Sequence, residues 1–249
     1  MKLKLSFLVS LCVLFLGHSG PLLAEVNVNQ ILKKVDQLFR SDSSESDMEM
    51  TIETPHWKRK LAMKIYSKGL EETFVRILSP KKDKGISTLR KGKEMWNYFP
   101  KVNKVIKVSP SLMTGSWMGS DFTNDDLVKQ TTLENDYTSK LIQSSSEEHY
   151  QIELTPKQDT VSVWGKIILI VNKKTLIPLE ESYFNEKGDK IRSMYFKDVK
   201  KYGNKDMPSV IEIVSHKKQG NKTRVHYKTA VFNQAVKKNI FTLRNLKKN

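Results

Sequence analysis

Asp47-Met48-Glu49-Met50-Thr51-Ile52-Glu53 alternates polar and apolar side chains without a break, and a few residues later the same rhythm returns in Lys60-Leu61-Ala62-Met63-Lys64-Ile65-Tyr66. A period of two sends every apolar side chain of such a stretch to one side of the backbone, the pattern of a strand with one buried and one wet face. The rhythm continues in both directions of reading. Ser67-Lys68-Gly69 precedes a strand-like stretch at 73–78, Lys91-Gly92-Lys93 separates 86–89 from 95–99, and Val102-Asn103-Lys104 leads into 105–108. Further alternating stretches at 150–154, 161–171, 179–184, 191–196, 210–214 and 224–231 are parted by Gly- and Asn-containing turns such as Lys187-Gly188-Asp189 and Gln219-Gly220-Asn221. Short strands at regular spacing with turn residues between them predict one antiparallel meander of about ten or eleven strands.

Two segments depart from this period. At the start, Val28, Ile31, Leu32, Val35, Leu38 and Phe39 recur at three- and four-residue spacings, an amphipathic helix that the polar run Ser41-Asp42-Ser43-Ser44 ends. In the middle, residues 110–130 show no alternation. Leu112, Met113, Trp117 and Met118 sit there among glycines and serines, and Thr123 with Asp126 three residues on resembles a capping box for a short helix through Lys129. This stretch reads as an insertion that covers one face of the sheet.

Composition agrees with a sheet open to water on one side. Of 249 residues, 38% are apolar and 28% charged, with a formal charge of +16, less core than a domain buried on all sides would need. Lys2 and Lys4 ahead of the apolar stretch 7–16, with Leu22-Leu23-Ala24 behind it, predict a secretory signal peptide over 1–24 and a single domain over 25–249. No later stretch approaches the roughly 20 apolar residues of a membrane helix. The only cysteine, Cys12, lies in the leader, so neither disulfides nor a thiol nucleophile is expected in the exported chain. The bacterial periplasm is the expected compartment.

Motifs for chemistry fail one by one. Gly115-Ser116-Trp117-Met118-Gly119 lacks the central serine of a nucleophile elbow, and Ser79-Pro80-Lys81-Lys82 has proline in a strand context where a helix-borne Ser-x-x-Lys is needed. There is no phosphate-binding glycine loop and no helical pair of metal-ligating histidines. Asp121, Asp125 and Asp126 lack the glycine and terminal glutamate of a calcium loop. The chain is expected to be no enzyme and to hold neither cofactor nor metal.

One longer pattern rises above chance: Phe74-Val75-Arg76-Ile77-Leu78-Ser79-Pro80, Lys84-Gly85-Ile86, Met95-Trp96-Asn97-Tyr98-Phe99-Pro100, and the run from Trp117-Met118-Gly119-Ser120-Asp121-Phe122 to Leu127. It resembles the LolA-like family of outer-membrane lipoprotein-sorting proteins, in its poorly characterised branch. The resemblance implies a mainly β fold, an incomplete antiparallel β-barrel whose concave apolar face is covered by an N-terminal helix and a helical lid insertion. It implies a cavity whose wall would hold Met48, Met50, Met63, Trp96 and Tyr98, with Arg76 as the counterpart of an arginine that the family places under its lid. Leu112, Met113, Trp117 and Met118 would form the lid. Unbranched methionine adapts its shape, which suits a space that fills and empties.

The function so implied is a periplasmic, monomeric carrier that holds acyl chains of a lipoprotein or lipid and moves them between an inner-membrane transporter and an outer-membrane acceptor. The alternative is a non-enzymatic accessory or sensor module docking on a membrane transporter or regulatory protein. Nucleic acid is not an expected partner. Charge adds one expectation. Residues 187–249 hold 17 basic and 4 acidic residues, and 81–107 hold 9 against 2, so the excess is local and suits an anionic membrane surface or an acidic partner.

Overall fold

The computed structural model describes residues 27–128, 132–160 and 162–248; the expected leader, 1–24, lies outside them. Helix α1 (Val28–Leu38) starts where Asn27 accepts a hydrogen bond from the Gln30 backbone N–H at 3.2 Å, and buries Ile31, Leu32 and Val35. At its other end the Lys205 ammonium donates to the carbonyls of Gln37, Leu38 and Arg40 at 2.9, 3.1 and 2.9 Å, a cation placed where the last carbonyls lack partners.

The chain then forms β1 (Ser43–Glu53), β2 (Lys58–Lys68), β3 (Glu72–Ser79), β4 (Ser87–Lys91), β5 (Glu94–Phe99) and β6 (Lys104–Lys107). After a crossing segment come β7 (Tyr137–Ile142), β8 (His149–Pro156), β9 (Lys166–Asn172), β10 (Pro178–Phe184), β11 (Lys190–Tyr202), β12 (Lys205–Ser215) and β13 (Lys222–Phe232). All thirteen lie in one antiparallel sheet, in the order β6-β5-β4-β3-β2-β1-β13-β12-β11-β10-β9-β8-β7. Each half is a meander, and β1 joins β13 to unite them. The described residues thus form thirteen strands where about ten or eleven are expected. The one strand that coincides with none of the alternating stretches read from the sequence is β7, Tyr-Thr-Ser-Lys-Leu-Ile, whose threonine, serine and lysine blur the alternation. The sheet is not closed into a barrel: β6 and β7 are its two edges.

That topology dictates what the crossing segment does. The chain must travel from β6 to β7, the full breadth of the sheet, and its described part through Val128 lies over one face. Met113, Trp117, Met118, Phe122 and Leu127 pack there on Met50, Leu61, Met63, Val75 and Val225. Helix α1 covers the β7–β9 end of the same face, against Ile152, Leu154, Ile167 and Leu169.

The opposite face divides into two zones. Over β2, β1 and β13 it is a charged ladder in which acidic β1 is flanked by basic neighbours: Glu49 meets Lys60 at 3.1 Å and Lys228 at 3.0 Å, and Glu45 meets Lys64 at 2.7 Å. Such exposed pairs contribute little to stability but keep this face wet. Over β3–β5 the same face is apolar, and the chain after β13 returns to cover it. Phe241 and Leu246, the latter in helix α3 (Leu243–Leu246), bury themselves on Phe74, Leu89 and Tyr98.

Candidate functional site: an apolar cavity under the crossing segment

Cross-strand register decides which side chains share the covered face. Met50 stands opposite Leu61 on one side and Val225 on the other, and Val75 opposite Ile65. Between this floor and the crossing segment lies a cavity of about 240 Å³. Met48, Met50, Met63 and Val75 form its floor, and Trp117, Phe122 and Leu127 its roof. Phe39 and Phe232 bound one end, where Ser44, Ser46, Ser67 and Thr73 add hydroxyls. Ser44 and Ser67 satisfy each other at 2.6 Å. Burial pushes the lining phenol of Tyr227 far above its ordinary pKa, so the wall is uncharged there.

The roof is fixed by identifiable contacts. Trp117-Met118-Gly119-Ser120 makes a tight turn with positive φ at both central residues, 54° and 78°, closed by the Ser120 N–H donating to the Trp117 carbonyl at 2.9 Å. That is the type I′ pattern, which needs glycine or another residue tolerant of left-handed backbone. The turn presents Trp117 and Phe122 side by side, joined by a 2.8 Å backbone bond. The Trp117 indole N–H donates to Thr88 Oγ1 on β4 at 3.1 Å, so the one polar atom of this buried ring is satisfied.

Next comes α2 (Asn124–Val128), which carries the capping box read from sequence: the Asp126 N–H donates to Thr123 Oγ1 at 3.1 Å and the Thr123 N–H to Asp126 Oδ2 at 2.8 Å. Asp126 also receives both arms of Arg192 from β11, NH1 to Oδ2 and NH2 to Oδ1, each at 2.7 Å. Burial alone would raise the Asp126 carboxyl, but the bonds and charge of Arg192 more than reverse this and hold it below the ordinary carboxylate value. Arg192 lies against the rings of Trp164 and Tyr183, 4.7 and 4.4 Å from their centroids.

Of the residues read from sequence as cavity wall, Met48, Met50 and Met63 line this space, with Trp117 above them. Met113 and Met118 pack against the same cluster. Leu112 is 58% exposed and takes no part in the roof. Arg76, Trp96 and Tyr98 lie on the other side of the sheet. Leu89 pairs with both Phe74 and Trp96, and Ser87 with both Arg76 and Tyr98, a parity that sends these side chains to the face covered by the C-terminal segment. There Arg76 donates to Ser87 Oγ at 3.1 Å and to the Asn245 carbonyl, and lies over the Phe74 ring.

Two arginines meet the crossing segment from below, and the sequence reading picks out neither: Arg59 of β2 donates to the Met118 carbonyl at 3.2 Å, and Arg192 of β11 holds Asp126. A signal exists for Arg192: Arg192, Met194 and Phe196 fall on one parity of β11, so an arginine stands in an apolar row. Phe122, Trp164 and Tyr183 were likewise missed.

A family model described as an uncharacterized protein matches residues 69–248. No curated protein matches the chain. Among solved structures, an outer-membrane lipoprotein-sorting protein domain from Vibrio parahaemolyticus is similar at 20% identity and TM-score 0.75, covering 89% of this chain and 97% of that one. A DUF1329 family protein from Desulfovibrio piger gives 20% identity and TM-score 0.78 over 88% and 97%. A LolA superfamily protein from Nitrosomonas europaea gives 22% and 0.73 over 89% and 100%. The resemblance seen in the sequence therefore holds at the level of the fold.

Proposed function

Because the chain belongs to the uncharacterized family whose model spans residues 69–248, and shares its fold with LolA-superfamily and lipoprotein-sorting structures, we propose that it is a non-enzymatic periplasmic carrier of acyl chains. The observation that supports this best is the apolar cavity between Met48, Met50 and Met63 below and Trp117, Phe122 and Leu127 above. An apolar cavity of about 150 Å³ suffices to bind benzene; one of about 240 Å³ takes a larger apolar group, such as a stretch of acyl chain. Each methylene withdrawn from water contributes about 0.8 kcal/mol, so a partly inserted chain is held without a directional bond.

In this reading the methionines yield as a chain enters, and the crossing segment acts as a lid. The cargo is an acylated lipoprotein or lipid, received from an inner-membrane transporter and passed to an outer-membrane acceptor. Transfer needs only that affinity for the cargo differ between donor, carrier and acceptor. The test is to isolate the protein from a lysate containing membranes and analyse it by mass spectrometry. Co-purifying acyl lipid or lipopeptide is expected. A protein that is consistently empty and also fails to compete with acyl probes would refute the proposal.

A further inference from the structure

Antiparallel connectivity sends alternate turns to opposite ends of a sheet. At one end, the turns between β12 and β13 (216–221), β1 and β2 (54–57), β3 and β4 (80–86) and β5 and β6 (100–103) follow one another in the order of the strands. They carry Lys217, Lys218, Lys81, Lys82, Lys84 and Lys101, six exposed ammonium groups that form no ion pair among the described residues. The one acidic residue in these turns, Asp83, is buried and neutralised by Arg59 at 2.8 Å. The turns at the opposite end of the same strands, 69–71, 92–93 and 203–204, hold Glu71 and Lys93, one charge of each sign. The cationic row therefore belongs to one end of the sheet.

Apolar side chains stand in the same row. Trp57 is 44% exposed, the one exposed aromatic ring among the described residues, and Val102 is 60% exposed. Trp57 is held outward by a well-formed turn: the Thr54 N–H donates to the Trp57 carbonyl at 2.9 Å, and the Thr54 hydroxyl accepts from the Trp57 N–H at 3.1 Å. The neighbouring tip, with Lys217 and Lys218, is seated against it. Gly220 lies so near Pro55 that a side chain there would begin 2.9 Å from the Pro55 Cγ.

An indole flanked by lysines suits the boundary between lipid headgroups and acyl chains, where the ring finds a half-apolar setting and the ammonium groups meet phosphates. A folded acidic partner fits less well, because a stable protein interface takes roughly 800 Å² of continuous surface on each side and separate turn tips do not offer one. A fluid headgroup layer adapts to each tip.

We propose that this end of the sheet docks on the surface of an anionic phospholipid membrane, with Trp57 and Val102 entering the headgroup layer and the six lysines meeting lipid phosphates. None of these residues lines the apolar cavity, so the inference goes beyond the carrier reading and is tested apart from it.

The test is co-sedimentation of the purified protein with vesicles of phosphatidylglycerol and phosphatidylcholine in equal parts, against vesicles of phosphatidylcholine alone. Binding to the anionic vesicles is expected to be at least about tenfold tighter and to weaken as salt is raised. Replacing Lys81, Lys82, Lys217 and Lys218 together by Gln should remove that preference, and Trp57→Ser should weaken binding to the anionic vesicles. Lys200→Gln with Lys201→Gln, exposed lysines beside the opposite turn 203–204, should leave it intact. Equal binding to the two vesicles, or an equal loss in the Lys200/Lys201 variant, overturns the proposal. Binding to neither vesicle also overturns it and assigns the cationic row to an acidic protein partner. Titration with a soluble acyl probe keeps the two readings apart: if the probe fails to bind while the anionic vesicles still do, the carrier reading falls and the docking surface stands.

Discussion

Arg192 grips Asp126 with both arms of its guanidinium at 2.7 Å, and through this contact β11 holds the short helix that carries the roof over the apolar cavity. The pair is almost withdrawn from water, with side chains 6% and 16% exposed. In such a setting the loss of one partner is far more damaging than the loss of both, because it strands a buried charge. Asp126→Ala should therefore cost about 3–5 kcal/mol, while Arg192→Met combined with Asp126→Leu should recover much of that loss. Denaturant unfolding of the two variants checks this; equal damage from single and double replacement would contradict it.

The same pair sets an acid limit. The Asp126 carboxyl titrates below its unfolded value, so its contribution is complete above an unfolded pKa of about 3.9 and is lost as the pH falls through the lower folded value. The roof should thus stay closed across neutral and mildly acidic pH, and loosen only under stronger acid. Fluorescence of Trp117 and Trp164 against pH, compared between the wild type and the Arg192→Met/Asp126→Leu variant, should show an acid transition in the first that is missing from the second.

Trp117 has two separable roles in the roof: its ring fills space and its N–H satisfies Thr88. Trp117→Phe should lose about 1 kcal/mol through the hydrogen bond with a modest change in acyl-probe affinity. Trp117→Ala should cost about 3–5 kcal/mol through the lost packing and weaken acyl binding strongly. Thermal unfolding and probe titration read the two effects independently.

Lys205 ties the end of α1 to the sheet through three carbonyls. Hydrogen bonds from a charged donor contribute more than neutral ones, and breaking a set of them at a helix terminus should lower stability by about 1–3 kcal/mol in Lys205→Met. Because α1 covers β7–β9 while β1 and β2 are held by their own ladder, amide exchange should rise first in α1 and leave β1 and β2 protected. Uniform loss of protection would argue against this.

How far the sequence carries the fold is seen in β1 and β5. In β1 the acidic residues alternate with methionine and isoleucine so cleanly that both faces are assigned by reading, and Met48 and Met50 lie on the cavity floor. In β5, Met95-Trp96-Asn97-Tyr98-Phe99 has large apolar residues on both parities because both faces of the sheet are covered there, one by the crossing segment and the other by Phe241 and Leu246. Alternation carries no information in such a strand, so reading places Trp96 and Tyr98 on the cavity wall while the structure puts them on the opposite face. Arg76 was open to a better reading, since Val75 and Ile77 fix the apolar parity of β3 and exclude it. Arg192 stayed hidden for the reverse reason: it lies in an apolar row, and only the partner brought over it by the crossing segment explains its charge.

The division between faces gives the sharpest comparison. Met63 lines the apolar cavity from below and is 2% exposed, whereas Tyr98 is 4% exposed on the opposite side. Met63→Phe should fill part of the cavity, and Tyr98→Ala should leave it untouched while opening a void under the C-terminal segment. Overpacking at Met63 is expected to cost about 1–3 kcal/mol and to weaken binding of an acyl probe. Tyr98→Ala is expected to cost about 3–5 kcal/mol with the affinity for the probe preserved at temperatures where the variant remains folded. Measured together, stability and affinity should move in opposite proportion in the two variants. If Tyr98→Ala weakened acyl binding as much as Met63→Phe, the binding surface would lie on the C-terminal side of the sheet, and the cavity under the crossing segment would be an ordinary packing defect.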